Sequence, residues 1–162
     1  MTHEEVLEQD AQHVADYGYM LQAVGDGPDD PNAWAYSIGL TDVAGHPEMI
    51  VTGRLYRGAA LLRYAAEAVI DGDDFFVGDV IESPIGSARI EPVHVVHYDL
   101  DTFNNWHWLK EYGAIHAPEL IALEIVMPGH AGPTLADSRS RLGTQLNRAT
   151  RRPRNRDLRR SR

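Results

Sequence analysis

With 162 residues, 43% of them apolar, the chain is long enough for one domain with a hydrophobic core and short for two. Cysteine is absent, which excludes disulfides, thiol nucleophiles and Cys-ligated zinc or iron–sulfur sites. Net charge is −9, no apolar run approaches a membrane span, and the acidic start Met1-Thr2-His3-Glu4-Glu5 lacks a signal-peptide core, so a cytoplasmic protein is expected.

In chain order, Thr2 with Glu5 three residues on forms a capping-box signature, and Val6, Ala11, Val14 and Tyr17 follow at roughly helical spacing until Gly18. Residues 19–24 read as a strand, followed by the breaker run Gly25-Asp26-Gly27-Pro28-Asp29-Asp30-Pro31. In residues 33–40 the bulky Trp34, Tyr36, Ile38 and Leu40 alternate with the small Ala35, Ser37 and Gly39, the period of a strand with one face on a core. Residues 48–52 form a short strand after the turn Gly45-His46-Pro47. Leu55, Ala59, Leu62, Ala66 and Val69 advance by four and three, an amphipathic helix that Gly72 stops. Residues 75–81, 89–97 and 120–127 read as strands, and residues 101–112 as a helix with Phe103, Trp106, Trp108 and Leu109 as its apolar part.

These elements predict an α+β fold: a mainly antiparallel sheet of about five or six short strands with two or three packed helices. The chain divides into an acidic domain over residues 1–133 and a basic tail over 134–162, partly helical or disordered, where Leu135, Leu142 and Leu146 could line a short helix. Residues 139–162 hold ten arginines against one acid, a net of +9, whereas the first 138 residues hold five bases against 23 acids, a net of −18. Such a tail points to a polyanion: Arg148, Arg151, Arg152, Arg154, Arg156, Arg159 and Arg160 are the candidate nucleic-acid contacts. An acidic protein, the chain's own acidic body, or no partner at all are the alternatives, and self-association of the domain into a homo-oligomer is left open.

The segments Trp34-Ala35-Tyr36-Ser37-Ile38-Gly39-Leu40 and Gly45-His46-Pro47-Glu48-Met49-Ile50-Val51 carry a resemblance. Over roughly residues 13–133 the chain resembles a bacterial family known as domain of unknown function 4262. Its pattern has an aromatic-Tyr-Thr-x-Gly-Leu strand, a Gly-x-Pro-Glu turn, a helix ending in glycine, and a late strand closing on a Pro-Asp-x-x-Gly loop. Here Ser37 replaces the threonine and keeps the hydroxyl, Glu124 stands where glutamine is usual, and Pro128-Gly129-His130 lacks the aspartate. The resemblance implies a fold and a location for a site, and no reaction.

Four residues are candidates for catalysis: His46, Glu48, Ser37 and Glu124. Trp34, Tyr36, His46 and Glu48 are the candidate ligand-binding residues, because an imidazole beside a carboxylate and an aromatic strand is a common pocket composition. The alternative is a turn in which His46 and Glu48 bond only the backbone and Ser37 joins a cross-strand pair. Glu124 lies among apolar neighbours, where burial would raise its pKa; on an open face it would be an ordinary solvated side chain. No cofactor or metal is implied. His94 and His97 are three apart on an expected strand and so face opposite ways, with His107 and His116 as the nearest further partners. Asp71, Asp73, Asp79 and Glu82 only superficially follow a calcium loop, since Phe75 and Phe76 occupy positions needing an oxygen and a glycine.

Overall fold

A computed structural model describes residues 1–130, 132–140 and the backbone of Asp157–Leu158. The chain runs α1 (His3–Tyr17), β1 (Met20–Val24), β2 (Trp34–Ile38), α2 (Leu40–Ala44), β3 (Glu48–Thr52), α3 (Leu55–Ile70), β4 (Val80–Ser83), β5 (Gly86–Pro92), a 3-10 turn (Val95–His97), α4 (Asn104–Tyr112) and β6 (Ala122–Val126). The six strands lie in the order β4-β5-β6-β3-β2-β1, and β7 (Asp157–Leu158) pairs along the far edge of β1. Every pairing is antiparallel except β3 with β6, where Glu48, Met49 and Ile50 stand opposite Ala122, Leu123 and Glu124. The α+β class and the mainly antiparallel sheet expected from the sequence are both present.

Local signals explain the element ends. The Thr2 hydroxyl accepts the Glu5 N–H at 3.1 Å and the Glu5 carboxylate accepts the Thr2 N–H at 3.1 Å, closing the capping box. Helix α3 buries Leu55, Leu61, Leu62, Ala65, Ala66 and Val69 on one stripe. Helix α4 begins at Asn104, three residues later than the pattern suggested, with Phe103 at its cap position.

The sheet is covered on both sides. Ala33, Ala35, Met49 and Val51 pack under α3, and their small or slender side chains let the helix approach. Trp34, Tyr36, Ile38 and Ile50 face the opposite core, shared with α1 and α4. The expectation of one packed face on β2 is therefore corrected: its "small" face is buried too. Leu40 also leaves the Trp34 face, because Gly39 (φ 117°) turns the chain into α2 and sends Leu40 under α3. Only glycine fits there, since a Cβ would stand 2.6 Å from the Gly18 carbonyl oxygen.

Two strand boundaries differ from expectation. Residues 75–79 form a loop and the strand begins at Val80; Phe76 and Val77 are exposed, so an apolar run here did not mean a core segment. Strand β5 starts at Gly86, across a tight turn from Ser83, and stops at Pro92, whose ring nitrogen cannot donate to a ladder. His94 then caps the 3-10 turn, its Nδ1 accepting the Val96 N–H. Leu135 and the residues to Ser140 form turns, and the remainder of the helix expected up to Leu146 lies outside the described residues. Among the described residues no helix is long and apolar enough to cross a membrane.

Candidate functional site

The two motifs singled out in the sequence prove to be one physical device. Glu48, fully buried at the start of β3, receives five donors. The Ser37 hydroxyl donates to Oε1 at 2.7 Å and the Leu40 N–H at 3.2 Å; the Gly39 N–H (2.9 Å), the Thr41 N–H (3.4 Å) and the Thr41 hydroxyl (2.9 Å) reach Oε2. Gly39 has no side chain to cap α2, so Glu48 supplies the cap from a different strand. Ser37 Oγ in turn accepts the Met49 N–H at 2.9 Å. Burial pushes the Glu48 carboxyl above its usual range, while the bonds from Ser37, Gly39 and Thr41 pull it back.

His46 is tied into a second local lock. Its Nε2 accepts the Phe75 N–H at 3.0 Å, so Nδ1 carries the proton and donates to the Pro47 carbonyl at 2.8 Å. This neutral tautomer pins the loop after α3 against the turn before β3. Trp34 and Tyr36 lie across the sheet from Ser37, in the α4 core: Trp34 Nε1 donates to the Thr102 carbonyl at 2.9 Å, and the Tyr36 hydroxyl donates to Asn104 Oδ1 at 2.7 Å. The structure thus brings Ser37 and Glu48 together, sets His46 apart on Phe75, and turns Trp34 and Tyr36 to the opposite core.

A cleft of ≈ 620 Å³ opens elsewhere, at the C-terminal ends of the parallel pair β3 and β6. Its floor is Thr52 and Glu124. One wall is the start of α3 with Arg54, Tyr56 and Arg57; the other is the loop Pro128-Gly129-His130 and the segment through Leu135 to Ser140. Trp34, Tyr36, Ser37, His46 and Glu48 do not line it.

Glu124 is the one sequence candidate at this place. It is 1% exposed; Oε2 accepts the Thr52 hydroxyl at 3.1 Å and Oε1 the Leu135 N–H at 2.8 Å. Burial raises its pKa; the Leu135 N–H, nearby His130 and the Thr52 hydroxyl lower it, and Glu91, directly opposite on β5, raises it further. The bond to Leu135 also docks the segment after β6, helped by His94 N–H to the Leu135 carbonyl (2.8 Å) and by His97 Nε2 on the Asp137 carbonyl oxygen (3.0 Å). Both late departures from the family pattern noted above, Glu124 and the loop at His130, border this cleft.

Sequence reading missed Thr52, Arg54, Arg57 and His130 as neighbours. The available signal was strand–Gly53–Arg54–helix, because a strand feeding a helix through one glycine places the helix start at the strand's C-terminal edge. His94 and His97 are not on a strand: their rings lie 6.5 Å apart around the 3-10 turn. Among the described residues no three His, Asp or Glu side chains are grouped to hold a metal ion. Arg148 and the other tail arginines proposed as polyanion contacts lie outside the described residues.

A family model described as Domain of unknown function (DUF4262) matches residues 13–133. No curated protein and no solved structure matches the chain.

Proposed function

Because the chain belongs to the DUF4262 family, whose name assigns no activity, we propose from the geometry that the domain binds a small molecule in the cleft at the ends of β3 and β6. One observation carries this reading: a cleft of metabolite size sits where a parallel strand pair ends, floored by a buried carboxyl and walled by arginines. Ser37, His46 and Glu48 hold the fold in this reading. Glu124 and Thr52 form the floor on which the ligand rests. A thermal-shift and ligand-observed NMR screen of metabolites tests it. Hits should weaken in Tyr56→Ala, which alters the mouth without touching the core, since Tyr56 is 66% exposed. Hits that are indifferent to Tyr56→Ala and Thr52→Val would overturn the assignment of the cleft.

A second reading rests on the charge division between a −18 body and a +9 tail. The arginines of residues 148–160 would engage a polyanion such as RNA, DNA or an acidic protein, independently of the cleft. Binding to generic RNA and DNA should fall steeply with salt, and with Arg151, Arg152, Arg154 and Arg156 all changed to Gln. Weak binding that ignores both would remove this reading.

A further inference from the structure

We propose that the ligand of this cleft is an acidic small molecule whose carboxylate or phosphate group is received by Arg54 and Arg57. The inference rests on the cleft being a ligand site, and names its chemistry. The first 138 residues contain only five basic side chains, Arg54, Arg57, Arg63, Arg89 and Lys110, against 23 acids. Two of the five line one cleft at the entry to α3, Arg54 at the extended N-cap position and Arg57 three residues on in the first turn. In a body so acidic, arginines would ordinarily find carboxylates, and Arg89 does, pairing with Glu91. Among the described residues Arg54 and Arg57 hydrogen-bond or ion-pair with no side chain.

The described lining gives them no bonded acid either. Among the described residues the lining contains no aspartate, and its one glutamate, Glu124, accepts from the Thr52 hydroxyl and the Leu135 N–H rather than from an arginine. Two like charges lining one cleft repel each other, and an oxyanion between them removes the repulsion. Guanidinium groups match a carboxylate or phosphate with paired N–H donors. The start of α3, where Arg54 makes no side-chain cap, adds potential of the same sign but does not define the site. Deeper in, the Thr52 hydroxyl and the Glu124 carboxyl present polar groups to the rest of the molecule. A polynucleotide is a poor fit, because the acidic body around the cleft repels an extended polyanion while a small anion can enter between the two arginines.

Calorimetric titration of the full chain at low ionic strength tests this with three probes: succinate, inorganic phosphate and uncharged succinamide. Succinate or phosphate should bind saturably, succinamide should not, and whichever anion binds names the group. Arg54→Gln and Arg57→Gln, both at exposed positions, should each weaken that anion about tenfold, the worth of roughly one charge-assisted hydrogen bond. Lys110→Gln on α4 makes the same charge change away from the cleft and should leave binding unchanged. Equal weakening in all three variants would mean general charge attraction and would overturn the proposal. Cleft binding by uncharged compounds alone would overturn it while leaving the ligand site standing; no cleft binding of any compound would remove both.

Discussion

Glu48 and Glu124 are two buried glutamates that should respond unequally to the same substitution. In Glu48→Gln, the new amide nitrogen must replace either Oε1, which faces the Leu40 N–H, or Oε2, which faces the N–H groups of Gly39 and Thr41. Backbone donors cannot reverse, so at least one buried N–H loses its acceptor and meets another donor. An unsatisfied buried donor costs about 1–3 kcal/mol, and losing the carboxylate weakens the bonds that remain, so about 3 kcal/mol in all is expected. In Glu124→Gln, the amide oxygen keeps the Leu135 N–H and the amide nitrogen donates to the Thr52 hydroxyl, which turns its own proton towards the cleft. No backbone donor is orphaned, and the cost should stay within about 1 kcal/mol. Urea unfolding reads the difference as a midpoint lowered by roughly 1–2 M in Glu48→Gln and little changed in Glu124→Gln. Equal losses, or the reverse order, would refute the reasoning that donor geometry separates the two sites.

Gly39→Ala should cost about 3 kcal/mol or more, since it combines a left-handed backbone with a Cβ 2.6 Å from a carbonyl oxygen; a thermal midpoint within a few degrees of wild type would contradict this. Thr2→Ala removes the capping box of α1 and should cost about 1 kcal/mol by denaturant titration. The raised Glu124 pKa makes a pH prediction. Between its ordinary value of 4.5 and its raised folded value, the unfolded chain has released the proton that the folded chain keeps. This contribution to stability is full below pH 4.5 and is lost as pH rises through the folded value, with His130 and Glu91 as the neighbouring charges that set where. Glu124→Gln removes it, so the mutant's stability relative to wild type should improve as pH rises through that window; parallel curves would count against a raised pKa.

Much of the fold was legible because its signals are local. Thr2 and Glu5 fix one helix start, the four-and-three spacing from Leu55 to Val69 fixes α3, and the alternation at Trp34–Ile38 fixes β2. What failed depends on partners distant in the chain. The apolar residues 75–77 looked like a strand because hydrophobicity does not say which runs find a neighbour, and Phe75 gives its N–H to His46 instead. The densest polar cluster, Ser37 with His46 and Glu48, was visible, but not that Glu48 folds back over the turn to cap α2, a contact that no periodicity signals. The cleft gathers residues from 31–33 and 51–58 with Glu124, residues 127–130, Pro133, Leu135 and Ser140, which the parallel contact of β3 with β6 brings together, and no periodicity encodes that contact.

The central claim, that the ligand enters at the ends of β3 and β6, is tested most directly by mapping amide chemical shifts during titration with succinate or a hit from the metabolite screen. Shifts should concentrate at Thr52, Gly53, Tyr56, Arg57 and Gly129 and saturate together. Saturating shifts centred instead on Ser37, His46 and Glu48, with the cleft amides unmoved, would contradict it.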